Sequence, residues 1–200
     1  MREHIEASSE LSLRPWAATD AAAVTEAFAE PLMRWQLPRP VDSPADARRW
    51  LADRRERWAT GSDFCFAVVD RRDTVLGGVT VGSIDLRHGV GRVSYWTTAP
   101  ARGRGVATHG CRALADWAFG DLGLFRLELG HRVGNRASCR VAGAAGFAVE
   151  GLQRQKLRYD GVRYDVETHA RLASDPAPAD GTPGQTLGGP PGRTVGGPPG

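Results

Sequence analysis

The chain has 200 residues, 41% of them hydrophobic and 24% charged, and a formal net charge of +3. That is an ordinary globular composition with enough chain for one cored domain, and its basicity is too modest to mark a nucleic-acid surface. No apolar run approaches the roughly 18–20 residues that span a membrane, and Met1-Arg2-Glu3-His4 lacks a signal-peptide pattern, so a cytoplasmic protein is expected.

Leu11–Arg14 alternates and predicts a first strand, closed by Pro15. Asp20 is placed to cap a helix over Ala21–Ala29, which Pro31 ends. A proline-interrupted loop carrying Trp35 follows, from Met33 to Val41. Ser43-Pro44-Ala45-Asp46 is a helix start: a serine cap, proline at the first helical position and an acid three residues after the cap. This helix runs to about Ala59 and ends at Gly61. Trp50, Leu51 and Trp58 supply its apolar contacts, and the Arg48-Arg49 and Arg54-Arg55 pairs are expected on a solvated face. From Phe64 the period changes to two. Phe64–Val69, Val75–Leu86 and Arg92–Thr97 predict an antiparallel meander.

The next stretch, Val93 to Ala107, organises the rest. It reads as a strand, a glycine loop Arg102-Gly103-Arg104-Gly105, and the first turn of a helix running from Val106 to about Phe119. Successive backbone N–H groups and the positive end of a helix make a seat for phosphate or pyrophosphate. A strand over Leu124–Leu129 follows, then a helix from Asn135 to about Ala145 with Gly146 at its cap. Phe147–Tyr159 and Val162–Leu172 form a hairpin about Asp160-Gly161. From Ser174 the chain holds 8 glycines and 7 prolines in 27 residues, too little apolar surface to offset chain entropy, so 174–200 is expected to be disordered. The folded domain is then 8–173, a mixed α/β sheet with helices on both faces.

Cys65, Cys111 and Cys139 are odd in number and lack Cys-x-x-Cys or Cys/His metal spacing. Free buried thiols, with neither a disulfide nor a metal, are the expectation. Among the basic residues Lys156 is the only lysine, a usage that fits a GC-rich bacterial genome.

The chain resembles a GNAT-superfamily N-acetyltransferase, and within it the ribosomal-protein-alanine/serine (RimJ/RimL-type) branch. Three segments carry the resemblance across the whole domain. Arg102-x-x-Gly105-x-Ala107 matches the acyl-CoA loop, Tyr95-Trp96 matches the end of the family's fourth strand, and Asn135-Arg136-Ala137-Ser138 with Ala145-Gly146-Phe147 matches the Asn-x-x-Ser…Gly-Phe segment. The resemblance implies a GNAT-type, mostly antiparallel sheet whose fourth and fifth strands splay to admit acyl-CoA.

It also implies a site. Backbone groups of Tyr95, Trp96 and Thr97 would meet pantetheine and the thioester. Those of Arg102, Gly103, Arg104, Gly105, Val106 and Ala107 would cradle the pyrophosphate, with the two arginines either adding charge or simply solvated. A neutral amine would attack the thioester directly, so no acyl-enzyme nucleophile is needed, and Cys139 is expected to face the core. Many members place a tyrosine acid seven residues after the asparagine; here that residue is Ala142. Ser138 is then the candidate donor to the departing thiolate, or else a packing residue. Asn135 orients pantetheine or caps its helix. The branch's glutamate base falls on Leu157, so His131 and Glu128 are the remaining base candidates, with Asp85 ranked below them and a water chain as the alternative. The family's loop proline stands at Pro100 instead of at Ala99.

The expected partners are acetyl-CoA and an amine acceptor, a protein N-terminus or a small molecule such as an antibiotic or polyamine. The Met33–Val41 loop and the Asp160-Gly161 hairpin would form the acceptor rim. A homodimer is left open. A non-catalytic acyl-CoA module is the further alternative; membrane and specific nucleic-acid binding are not expected. A dinucleotide fold fails because Thr108 stands where its third glycine should be.

Overall fold

Strand alternation is sharpest at Phe64–Asp70, and it divides the interior in two. Phe64, Phe66 and Val68 enter one core and Cys65, Ala67 and Val69 the other, as period-two side chains on a sheet covered on both faces must. A computed structural model describes residues 2–33 and 39–178. In chain order the strands are β1 (Ile5–Glu6), β2 (Leu11–Pro15), β3 (Phe64–Asp70), β4 (Val75–Asp85), β5 (Val90–Thr97), β6 (Arg126–Arg132), β7 (Ala148–Tyr159) and β8 (Val162–Leu172). The helices are α1 (Ala21–Phe28), α2 (Pro44–Thr60), α3 (Val106–Gly120) and α4 (Arg136–Ala144). They build one sheet in the order β1-β2-β3-β4-β5-β6-β8-β7. Every pairing is antiparallel except β5 with β6.

The larger core lies under α3 and α4. Fully buried Trp117 packs there edge-on to Phe64 and Phe66, with Trp58 against the same pair. The second core lies under α1 and α2 and gathers Trp16, Val24, Phe28 and Leu51, with Trp50 and Trp96 packed against it.

Local signals explain the elements between. Ser43 Oγ accepts from the Asp46 N–H at 3.2 Å, Pro44 opens α2, and Gly61 closes it in the left-handed conformation. Asp160 and Gly161 both take positive φ, the primed turn that suits a hairpin, and bring Tyr159 opposite Val162.

The structure corrects four expectations. Asp20 does not cap α1 through its side chain. Its carboxylate takes two bonds from the Arg14 guanidinium, at 2.8 and 2.9 Å, and one from the Ala17 N–H at 2.8 Å, because a buried cation outcompetes a helix end for a carboxylate. Arg54 is not on the solvated face: it lies 4.8 Å above the Trp50 ring and 3.7 Å from Cys65 Sγ. The fifth expected strand is shifted to Arg126–Arg132, so His131 lies inside it, not after it. The folded chain also begins before residue 8, since Ile5 pairs with Leu13. The tail beyond residue 178 and most of the expected acceptor-rim loop, residues 34–38 with Trp35, lie outside the described residues.

Candidate active site

The site begins where the sheet comes apart. β5 pairs with β6 only from Val90–Val93 to Arg126–Leu129. Beyond Val93, the residues Ser94–Thr97 pair with β4 alone, and Gly130–Arg132 pair with β8 alone. β5 is the fourth strand of the sequence reading, renumbered by the extra β1. A gap therefore opens between two strand edges, each with backbone groups lacking a strand partner among the described residues. Such an edge accepts an extended, amide-bearing chain as a further strand.

Two residues set the inner end of the gap. Tyr95 shares the face of Val93, and its hydroxyl donates to the Ser138 carbonyl at 3.3 Å. Burial pushes its phenol far above its ordinary value, so it remains a neutral donor. Asn135 caps α4: its side-chain oxygen accepts from the Ser138 N–H at 3.1 Å. That fixes Ser138 in the first turn of α4, half-buried, with its side chain against the Tyr95 phenol.

At the outer end Gly103 (φ +74°) and Gly105 (φ +77°) turn the loop into α3. Both angles lie where a Cβ collides with the following carbonyl. The first helical bond of α3 runs from the His109 N–H to the Gly105 carbonyl, which leaves the N–H groups of Gly103 to Thr108 without an acceptor among the described residues. α3 has no side-chain cap and no acid in its first turn, so its positive end is unneutralised. Arg102 turns away from it: its guanidinium pairs with both carboxylate oxygens of Glu30 at 2.5 Å. Arg104 opens onto a cavity of about 410 Å³ on the β2–β4 side of the loop, with Arg71, Arg72 and Leu76.

On the opposite face of β5 the floor beside the gap is aromatic. Trp96 stacks on Trp16 at 5.8 Å and 14°, Trp50 meets Trp16 edge-on at 5.1 Å, and Phe28 lies 5.1 Å from Trp96. Gly78 makes the stack possible, because a Cβ there would fall 2.8 Å from Trp96 Nε1 and 3.0 Å from Trp16.

A model of the Acetyltransferase (GNAT) domain matches residues 10–148, more than half of the chain. The chain belongs to the GNAT acetyltransferase family. It is 30% identical over 131 residues to the Bacillus subtilis protein named "Probable N-acetyltransferase YjcK", covering 64% of this chain and 72% of that one. Two solved structures share the fold. RimL, a ribosomal L7/L12 alpha-N-protein acetyltransferase in complex with coenzyme A, superposes with TM-score 0.78 at 22% identity, over 85% of this chain and 98% of its own. The ribosomal-protein-S5-alanine acetyltransferase of Vibrio fischeri does so with TM-score 0.76 at 22% identity, over 86% and 97%.

In this acetyltransferase the expected site residues divide into two groups. Tyr95, Trp96, Thr97, Asn135, Ser138 and the loop from Arg102 to Ala107 line the gap and its mouth. Of the base candidates only His131 lies at the gap, on the splayed end of β6. Glu128 precedes the splay and accepts from Arg126 Nε at 2.9 Å, Arg126 pairing also with Glu150. Asp85 is a turn residue, accepting from the Arg87 and His88 N–H groups. His131 is 8% exposed and shares the face of Leu127 and Leu129 under α4, 2.9 Å from His169. Cys139 does not face the core; it is half-buried and donates to Glu167, and burial and that carboxylate hold its thiol above the ordinary value. Residue-by-residue reading missed Glu167 and His169. They alternate on β8 opposite Leu129 and His131, a proximity that only the strand register reveals.

Proposed function

We propose that the chain moves an acetyl group from acetyl-CoA onto a primary amine by direct attack, with a protein or peptide N-terminus as acceptor. The observation that carries this reading is the β5–β6 gap, which runs from the uncapped start of α3 to Tyr95 and Ser138 at its inner end. Pantetheine would lie in it as an added strand beside Ser94–Thr97, and the pyrophosphate would sit on the N–H groups of Gly103 to Ala107.

The amine nitrogen attacks the thioester carbon, forming the C–N bond. A backbone N–H at the edge of β5 stabilises the tetrahedral oxyanion. Collapse breaks the C–S bond, and the departing thiolate takes the proton of Ser138 Oγ, which is restored from the water that receives the amine's proton. The proton lost by the amine goes to water. Glu128 precedes the splay and is engaged by Arg126, which disfavours it as the base, and His131, on the splayed end of β6, is held against His169 and Glu167.

The neighbouring folds that act on ribosomal-protein N-termini support the acceptor class. Thiol release from acetyl-CoA, measured with Ala-, Ser- and Met-initiated peptides beside spermidine and aminoglycosides, tests the reading. Turnover with peptides is expected. Turnover with small amines alone would replace the acceptor, and coenzyme A binding without any turnover would make the domain a non-catalytic acyl-CoA sensor.

A further inference from the structure

Under the first turn of α4, three side chains from two strands bring lone-pair atoms together. His131 Nε2 lies 2.9 Å from His169 Nε2, and Glu167 Oε1 lies 3.0 Å from His169 Nε2 and 3.3 Å from His131 Nε2. The imidazoles are 8% and 2% exposed. His131 Nδ1 lies 3.1 Å from the Arg132 carbonyl, which can only accept, so Nδ1 carries the proton and Nε2 presents a lone pair.

Protons alone serve this triangle poorly. An edge is favourable only when one end donates and the other accepts, and with Glu167 ionised, so that its oxygens only accept, the three atoms cannot be assigned so on every edge. One proton on His169 Nε2, shared between His131 and Glu167, leaves a lone pair facing a carboxylate oxygen across the 3.3 Å edge. A second proton, on His131, instead sets two N–H groups against each other at 2.9 Å. A mismatched edge in so enclosed a place is costly. His169 Nδ1 has no partner among the described residues under any filling, so the Nε2 side decides.

A cation at the centre satisfies all three atoms at once. We infer that His131, Glu167 and His169 form a divalent-metal site of the zinc class, at the splayed end of β6 where it pairs with β8 alone. Two imidazoles and a carboxylate are a zinc donor set, and a carbonyl fixing the other nitrogen of His131 is the usual outer support of such a ligand. Tetrahedral bonds of about 2.0–2.1 Å set donor separations of about 3.3–3.4 Å. The longest edge already meets that value, and the other two need to open by only a few tenths of an ångström. The three-ligand shell leaves a fourth position for water, and the Cys139 thiol borders the site through Glu167. The spacing test applied to the sequence could not find this group, because its members are drawn together by the β6–β8 register. Bound metal would tie β6 to β8 directly beneath Ser138.

Full-length protein stripped with a chelator and titrated with Zn²⁺ against a chromophoric competitor is expected to bind one equivalent with Kd below about 1 μM. Its melting midpoint should rise by about 5–10 °C at a hundredfold excess over Kd. Glu167→Gln, at a half-buried position, should weaken binding at least about tenfold while the metal-free midpoint stays near that of the parent. His169→Gln should abolish binding. The wild-type titration and the Glu167 variant decide the matter even if the His169 variant does not fold. Absence of saturable binding below about 10 μM would overturn the site in favour of a shared proton, and stoichiometric binding that survives Glu167→Gln would place the ion elsewhere.

Discussion

Along one side of the β5–β6 gap the protein presents backbone, and along the other face of the same strand it presents rings. The donor side consists of strand edges, the N–H groups of Gly103 to Thr108 and one hydroxyl, all placed by contiguous stretches of chain. The proposed acceptor side is a floor made by Trp16 after β2, Phe28 of α1, Trp50 of α2 and Trp96 of β5, four side chains gathered from distant parts of the chain. Backbone recognition suits a ligand that never changes, since its geometry is set by φ and ψ and tolerates most side chains. Side-chain recognition suits a partner that differs between relatives, since single substitutions reshape it without disturbing the sheet.

If that division is right, the largest single loss comes from the one side chain the donor side uses chemically. Ser138→Ala should lower kcat about 100-fold with the KM for acetyl-CoA unchanged, because only the proton to the thiolate is removed. Asn135 caps α4 independently of the hydroxyl, so a circular dichroism melt should match the parent within about 1 °C. Unchanged kcat would remove Ser138 as the acid and leave water to protonate the thiolate.

The backbone half breaks next. Gly105→Val puts a β-branched residue at φ +77° with its Cβ 3.2 Å from the His109 ring. Left-handed strain of about 1–2 kcal/mol must be relieved by moving the loop, so the KM for acetyl-CoA should rise about tenfold or more. Calorimetry with coenzyme A separates this from a kcat effect. Affinity equal to the parent would mean that the phosphates sit elsewhere.

This division also explains what could be read from the sequence. The glycine loop, the Ser43 and Asn135 caps and the Asp160-Gly161 turn are written within a few residues of one another, and their signals are local, so they can be placed from spacing alone. The gap follows from the element order once the family is recognised. What could not be read depends on register and long-range competition. Asp20 looked like a cap because Arg14 is invisible as its partner until β2 is in place. Arg54 looked solvated until Trp50 and Cys65 came beneath it. His131 was legible as a residue near the cleft, but its neighbours were not: only the pairing of Leu129 with His169 and of His131 with Glu167 brings those side chains to it.

The acceptor floor gives the third test. Trp96→Leu keeps the β5 backbone but removes the stack on Trp16 and the contact with Phe28. The KM for a peptide that turns over should rise about fivefold, while the KM for acetyl-CoA stays within about twofold, an aromatic pair being worth about 0.5–1.5 kcal/mol. Equal changes in both constants would show that the two faces of β5 do not divide the ligands.

Arg102 should give the smallest effect, and it lies where the two sides touch. It belongs to the donor loop by sequence, but its guanidinium holds Glu30, just after α1 on the acceptor side. The hydrogen bond from Arg102 holds the Glu30 carboxyl below its ordinary value. A depressed folded value means that this stabilisation is present above the unfolded value of about 4.3 and is lost as pH falls through the folded one. With side chains 36% and 25% exposed, solvent screens the pair and keeps its worth small. Arg102→Gln should therefore raise the KM for acetyl-CoA less than about threefold, and lower the melting midpoint slightly at pH 7 and progressively less as pH falls through the folded value. A rise above tenfold would mean that the arginine leaves Glu30 for the pyrophosphate when the donor binds. The first residues of the acceptor loop would then be released at that moment, and the two sides of the gap would be coupled through a single side chain.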